Sequence, residues 1–508
     1  MLEVSNAEKR YGELENHRSS YLRRARDSAK LTIPSLMPES RTSGFKLPTP
    51  YQGIGARGLN NLASKLLLTL FPPNSPFFRM MVDTFTLKEM GDDPALKTKI
   101  EKALGEVERS TMSEIETVGD RVQLFEALKQ LIVAGNVLLF IDKTAVKVFH
   151  LDRYVVKRDP MGNVSEIITR EFVSPDALPR RIQEQVKAKL AEDSQKTVAV
   201  YTHIQRKGNK VLVVQQAKGI EIPGSQGSYP VDKTPWLALR FTRIDGEDYG
   251  RGFIEEYYGD LVSLEKLTKA LVEGAAAAAK VLFLVNPNGT TRARTLAKAP
   301  NGSIREGDAR DISVLQLDKF ADFRVTRDVK KDIEERLASA FLLNSSIQRN
   351  GERVTAEEIR YMAGELEDAL GGVYSILSME LQLPYVNRRM AIMQRQGRLP
   401  SIPKDLVKPS IVTGLEALGR GHDLRKLQLL IQGLREDLGD AVVTRYINVS
   451  DYISRKATAI GIDTEGLVKT EDELKQADEA EQYRMMIEKL GPEAMKQMGG
   501  AMQQGTPE

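Results

Sequence analysis

Cysteine is absent from all 508 residues. The chain can form neither disulfides nor thiolate metal sites, which suits a reducing cytosol and leaves cohesion to packing or assembly. Long apolar runs are missing too. The longest, "VLFLV" at Val281–Val285 and "LLLTLF" at Leu66–Phe71, fall far short of the roughly 20 residues a membrane-crossing helix needs. No membrane span is expected. The opening stretch Met1–Lys30 is charged throughout and lacks an apolar signal core, which argues against secretion. An excess of one charge is also lacking, since 73 basic residues against 70 acidic ones leave a formal net charge of +3. Tight grip on DNA calls for a larger basic excess or a basic stripe, so self-association or weak nucleic-acid contact is favoured.

Several catalytic signatures are missing as well. No G-x-x-x-x-G-K-[ST] loop occurs, which excludes a P-loop motor, and no G-x-S-x-G elbow is present. The four histidines, His17, His150, His203 and His422, lie far apart without metal-ligand spacing. "GIGARG" matches G-x-G-x-x-G through Gly53, Gly55 and Gly58, but "KLPTPYQ" before it is no strand; a glycine-rich helix entry is the better reading. Asp245, Glu247, Asp248, Glu255, Glu256 and Asp260 could in principle hold a divalent ion as in nucleases. Their spacing fits no ligand pattern, and acidic residues feeding a helix N-terminus explain them. No cofactor or metal is implied, and the chain reads as a non-enzyme.

What is present is an α+β, predominantly helical chain, too long for one core and so divided into lobes. A surface helix over Ala7–Ala29 carries Tyr11, Leu14, Tyr21, Leu22, Ala25 and Ala29. Further helices cover Leu59–Phe71, Pro94–Thr117 and Val122–Ala134. After Gly135 the period changes to that of strands: "NVLLFI", "AVKVFHL", "YVVKRD", "VSEIITREFV", "KTVAVYTHIQR" and "KVLVVQQA" predict one antiparallel sheet. From Phe253 to Lys280 apolar residues recur at threes and fours; a continuous helix there would span about 42 Å. Its alanines, Ala275–Ala279, suit either a closely packed neighbour or a plain exposed face.

A small module with strand signals follows, bearing the basic residues Arg292, Arg294 and Lys298, and then a helix over Val325–Leu343. The polar segment after it holds Gln348, Arg349 and Arg353. Thr355 and Glu358 form a capping box for a long helix that is expected to end before Pro384. "RLPSIPKDLVKPS" reads as a linker to further helices, and Gly491–Glu508 as a mobile tail.

The strings "GARGLNNLASKLLLTLF", "LFEALKQLIVAGNVLL", "YVVKRDPMGNV", "DGEDYGRGFIEEYYGDL", "LQLDKFADF", "GERVTAEEIRYMAGELEDALGGVYSILSMELQLP" and "TGLEALGRGHDL", in this order, resemble the portal proteins, or head-to-tail connectors, of autographivirus-type short-tailed bacteriophages. Departures lie around Asp193–Lys218, Gly433–Ile447 and the C-terminal tail. The resemblance implies a portal-type fold in a ring, usually of twelve subunits, at the head-tail vertex of the virion, made in the host cytoplasm. It maps residues 1–252 and 355–404 to a wing, 253–280 and 325–343 to two stem helices, and 281–324 to a clip. Residues 344–354 become a channel loop, 405–490 a helical crown and 491–508 a flexible tail. Implied partners are further copies of the chain, double-stranded DNA without sequence specificity, terminase, tail adaptor and tail proteins, major capsid and scaffolding proteins, and internal core proteins. Gln348, Arg349 and Arg353 would touch DNA, unless the loop is a plain solvated turn; Arg292, Arg294 and Lys298 would meet partners or DNA. The competing readings are a metal-dependent DNA-processing enzyme using the 245–260 carboxylates and a self-assembling tail or internal structural protein.

Overall fold

The computed structural model describes residues 6–39, 47–73, 77–82, 94–191, 196–278, 282–315, 320–343, 364, 366, 369, 370, 372–400, 407–411, 429–437, 439, 447, 452 and 453. The chain divides into two compact units, Met1–Gly414 and Leu415–Glu508. In the second, 429–437 is helical. The crown helices expected there, apart from that stretch, lie outside the described residues.

In the first unit, α1 (Ala7–Lys30) starts at Asn6, whose side chain accepts from the Glu8 and Lys9 amides. Its inner face carries Tyr11 and Leu14 as expected, and also Arg18, which is 1% exposed. The Arg18 guanidinium donates to the carbonyls of Leu151 (3.0 Å) and Tyr154 (2.7 Å), pinning α1 to a corner of the sheet region. Next come α2 (Ile54–Leu70), α3 (Pro94–Val118) and α4 (Arg121–Ala134). The last turns of α4 are buried on every side, from Gln130 through Ala134. Gly135 closes α4 in the left-handed region at φ 68°, and a Cβ there would lie 2.3 Å from the Arg251 backbone. Only glycine meets both demands.

The strands are β1 (Phe78–Val82), β2 (Asn136–Ile141), β3 (Val146–Phe149), β4 (Tyr154–Arg158), β5 (Val164–Val173), β6 (Val198–Lys207) and β7 (Lys210–Ala217). They continue with β8 (Ile220–Glu221), β9 (Gly227–Pro230), β10 (Trp236–Arg240), β11 (Leu282–Val285), β12 (Ile312–Leu315) and β13 (Val407–Ile411). The expected single sheet is two. One has the order β10-β2-β3; the other runs β4-β5-β6-β7-β8, with β9 on β7. A 3-10 turn at Leu151–Arg153 separates them, and the fully buried Leu151 together with Arg18 redirects the chain there. Between β5 and β6, α5 (Arg180–Ala191) lays Ile182, Val186 and Leu190 on a small core of its own with Val198 and Val200.

Three expectations need correction. The helix from Phe253 is not continuous: a single turn, Phe253–Glu256, breaks at Tyr257 before α6 (Tyr258–Ala278). The proline linker contains β13, which pairs antiparallel with β1 from Phe78↔Ile411 to Val82↔Val407 and belongs to the first unit, not to C-terminal helices. Pro384 does not stop its helix. Gly372–Leu377 runs through a π turn at Ser378–Gln382 into Leu383–Arg395, and the Leu383 amide reaches back to the Ser378 carbonyl. The widened turn takes up the ring and the missing N–H that would break an ordinary helix.

That π-bearing segment is anchored in the interior. Arg389 and Asp120 are both essentially unexposed and ion-paired. Tyr385 donates to Asp120 at 2.7 Å, and Arg389 also reaches the Asp142 carbonyl at 3.0 Å. Asp120→Ala leaves a buried guanidinium without its counter-charge and should cost about 3–5 kcal/mol, read by urea unfolding.

A second buried group ties α1 to the sheet. Burial alone would raise the Glu166 carboxyl, but hydrogen bonds from His203 (2.8 Å) and Arg10 (2.9 Å) outweigh it and pull the pKa down to about 2. A carboxyl depressed in the folded state stabilises above its unfolded value, and that contribution fades as pH falls toward 2. Glu166→Gln should therefore lower stability near neutral pH by up to about 3 kcal/mol and narrow its gap to the parent chain on acidification below about pH 4. Urea midpoints across an acid series measure this.

Candidate functional site at a helix hairpin

Two helices of 21 residues each, α6 and α7 (Phe320–Ala340), form the feature on which the sequence reading turns. Each rises about 31 Å. Their contacts fix an antiparallel arrangement: Asp260 near the start of α6 pairs with Arg336 near the end of α7 at 2.9 Å. At the other end, a Cβ on Gly274 would sit 2.5 Å from the Phe323 ring. Gly274 therefore lets the aromatic ring lie against the helix backbone. The alanines that follow are not used in this contact, and Ala275, Ala276 and Ala277 are exposed.

The base of the hairpin is seated on α2. Phe341, fully buried, fills the space over Gly58, where a Cβ would meet its ring at 2.4 Å. It also stacks edge-on against Phe253, with centroids 5.9 Å apart. The end of α7 closes as a Schellman motif, with Leu343 N–H on the Ala338 carbonyl (2.8 Å) and Leu342 N–H on that of Ser339 (3.0 Å). Leu342 takes the left-handed position at φ 52°, which costs a non-glycine residue roughly 1–2 kcal/mol. Side chains of α2 hold it there. Asn61 donates to the carbonyls of Phe341 (2.9 Å) and Leu342 (3.0 Å), and the Lys65 ammonium to that of Leu342 (3.1 Å). A cation at a helix C-terminus is also favourable to the dipole. On the α6 side, Glu265 accepts the Tyr51 (3.0 Å) and Gln52 (3.1 Å) amides just before α2.

"GIGARG" is thus a helix entry, as its preceding residues predict. Gln52 Oε1 accepts the Gly55 amide at 2.9 Å in the first turn, and Gly55 and Gly58 are bare because Leu31 and Phe341 approach them.

The segment that leaves this seat holds Gln348, Arg349 and Arg353, and these three, with the Thr355–Glu358 capping box, lie outside the described residues. At the far end, β11 and β12 pair from Leu282↔Leu315 to Val285↔Ile312 and frame a module with a short helix, Ala293–Ala297. Arg292, Arg294 and Lys298 are all exposed on and beside that helix. The module is held by polar contacts: the Asp311 carboxylate accepts the Thr291 amide (3.1 Å), and the Thr291 hydroxyl accepts the Asp308 amide (2.8 Å). Among the side chains described between Leu264 and Ile333 no apolar one is buried, those of Leu282, Phe283, Val314 and Leu315 lying outside them, and Ile304 is 99% exposed.

The carboxylates of the metal reading diverge. Glu247 pairs with Arg251 (2.6 Å), Glu255 with Arg24 (3.2 Å) and Asp260 with Arg336; Asp248 accepts the Arg158 amide (2.7 Å). Glu256 stands apart, its carboxyl raised by burial. Among the described residues no group of three or more histidines and carboxylates could hold a metal ion. His17 is exposed, His150 faces Glu126 at 2.8 Å, His203 faces Glu166, and His422 lies outside the described residues.

Residues 4–468 match the family described as "Bacteriophage head to tail connecting protein". The chain is 45% identical to the portal protein of Escherichia phage T7 over 514 residues, covering 98% of this chain and 94% of that protein. It is 47% identical over 479 residues to the portal protein of Enterobacteria phage T3 (92% and 88% covered) and 32% identical over 501 residues to that of Enterobacteria phage SP6 (97% and 95%). The chain belongs to the bacteriophage head-to-tail connecting proteins.

Sequence reasoning missed Asn61, Lys65 and Leu342, because their roles depend on α2 meeting the end of α7 across some 280 residues of chain. Gly58→Ala should displace Phe341 and cost about 1–3 kcal/mol in urea unfolding. In a Phe341→Ala background the same change should cost much less, because the ring that it strikes is gone.

Proposed function

We propose that this chain assembles into a ring, of twelve copies by family resemblance, at the head-tail vertex of a phage particle. Double-stranded DNA passes through it without sequence readout during packaging and ejection, and the ring docks terminase first and tail adaptor and tail proteins later. The observation that carries this reading is likeness to a named portal protein over 98% of the chain. Major capsid, scaffolding and internal core proteins are its further partners in head assembly, and the host cytoplasm is where it is made.

The hairpin supports a division of labour along the chain. The α6–α7 pair is the stem, the module between the two helices, within the expected 281–324, is the clip, and 344–354 at the base is the channel loop. Residues 1–252 and 355–404 form the wing around the base, and the second unit carries the crown and tail. Exposed Val272, Val325 and Val329 on the stem, with the exposed alanines, suit neighbouring copies. Near-neutral net charge suits a bore that must let DNA slide, since DNA carries a negative charge every 1.7 Å or so and a strongly basic wall would hold it. Arg292, Arg294 and Lys298 then face partners or DNA at the clip.

Negative-stain images of the purified chain should show rings with a central hole; monomers or compact dimers at every concentration would sink the reading. Arg349→Ala with Arg353→Ala should leave those rings intact and reduce DNA packaged or retained per particle. Unchanged packaging and retention would assign the loop to solvent alone. Asp248→Asn tests the enzyme alternative: incubation of the parent chain with DNA and magnesium or manganese should give no cleavage for the variant to abolish.

A further inference from the structure

A cleft of about 570 Å³ opens between the turn at the end of β4 and the loop after β10, lined by Lys157, Arg158, Gly162, Arg240, Arg243 and the 244–248 loop. The sequence suggests an acidic place here. The interior is the reverse. Arg240 is 2% exposed, its Nε has no hydrogen-bond partner, and its two terminal nitrogens reach carbonyls only at 3.4 Å. Gly162 is bare in the left-handed region at φ 83°, and a Cβ on it would lie 2.7 Å from Arg243 NH2 and 3.3 Å from Arg240 NH2. Two guanidiniums therefore share one small space. Among the described residues their common ion-pair partner is Glu380, at 3.9 Å from Arg240 and 3.7 Å from Arg243, too far for a hydrogen bond.

The acids of the lining hydrogen-bond mainly to other groups, while Asp248 also favours the charged form of Arg240. Glu247 is paired with Arg251, Asp159 accepts from Asn163, and Asp248 accepts the Arg158 amide with Lys157 at 3.7 Å. Asp245 is exposed on the rim. Arg158 adds charge but no free donor set, as its guanidinium is spent on the carbonyls of Asp248, Gly162 and Ala238. Burial, and after it the neighbouring Arg240, draws the Arg158 pKa down to about 10.

We propose that this cleft is an anion site that takes a phosphate group, with Arg240 on its inner wall and Arg243 and Lys157 at its mouth. Two guanidiniums and an ammonium around one space offer donors to several oxygens at once, as a phosphate requires. The proposal is independent of the connector reading.

Isothermal titration of the full-length chain with inorganic phosphate, and separately with a short single-stranded oligothymidine, tests it. Saturable phosphate binding is expected, weakened about tenfold or more by Arg243→Gln, whose exposed side chain can change without unfolding the chain. Arg240→Gln, checked for folding by circular dichroism, should weaken it at least as much. Oligothymidine that competes with phosphate in the parent chain, and loses affinity in Arg243→Gln, identifies a nucleic-acid phosphodiester as the source; phosphate binding that it cannot displace identifies a free ion. No saturable phosphate binding, or binding that Arg243→Gln leaves unchanged, overturns the proposal.

Discussion

A benzene ring lying directly on a helix backbone governs this structure. Phe341 can do so only because residue 58 has no side chain, and from that contact follow the position of α7, the direction in which the chain leaves it and the seat of the whole hairpin. Asn61 and Lys65 complete the seat by taking the carbonyls at the end of α7. The left-handed Leu342 is the cost of turning the chain there without a glycine. A second phenylalanine, Phe323, uses Gly274 in the same way near the tip. Rigid ends suit an element that carries a small module at its tip.

Charge inside the first unit serves cohesion more than chemistry. Arg18, Glu166, Asp120 and Arg389 are buried and each meets a carbonyl or an opposite charge from a segment far away in sequence. The acidic string at 245–260 belongs to the same pattern, since its members mostly meet arginines from α1, α7 or their own loop. The exception is the Arg240–Arg243 cleft, where two guanidiniums share one space and Glu380 stands beyond hydrogen-bond distance of both. Beyond the base of the hairpin polar contacts around Asp311 and Thr291 hold the small module together.

Much of the fold was legible locally. Helices α2, α3 and α4 and strands β2 to β7 follow from period and punctuation, because burial of one face imprints itself on consecutive residues. The i,i+4 series Ile182, Val186 and Leu190 was equally legible and went unread among strands. Other features had no local signal. The β1–β13 pair joins residues more than 300 apart, the two-sheet division depends on where Arg18 lands, and Pro384 passes only because a π turn precedes it. The clip arginines were legible as exposed basic residues; Asn61, Lys65 and the Arg240 cleft were not, since each is defined by what lies opposite.

By itself the sequence determined the class of the chain, its helix-module-helix order, and the absence of a disulfide, a P-loop or a long apolar run, all properties that residue type and spacing decide without partners. It also identified "GIGARG" as a helix entry by what precedes it. Only the tertiary structure decided which glycines admit a phenylalanine, which carboxylates are neutralised and which cations remain in want of an anion. Those outcomes depend on distances of a few ångströms between segments that the chain brings together from hundreds of residues away, and no one-dimensional pattern encodes such distances.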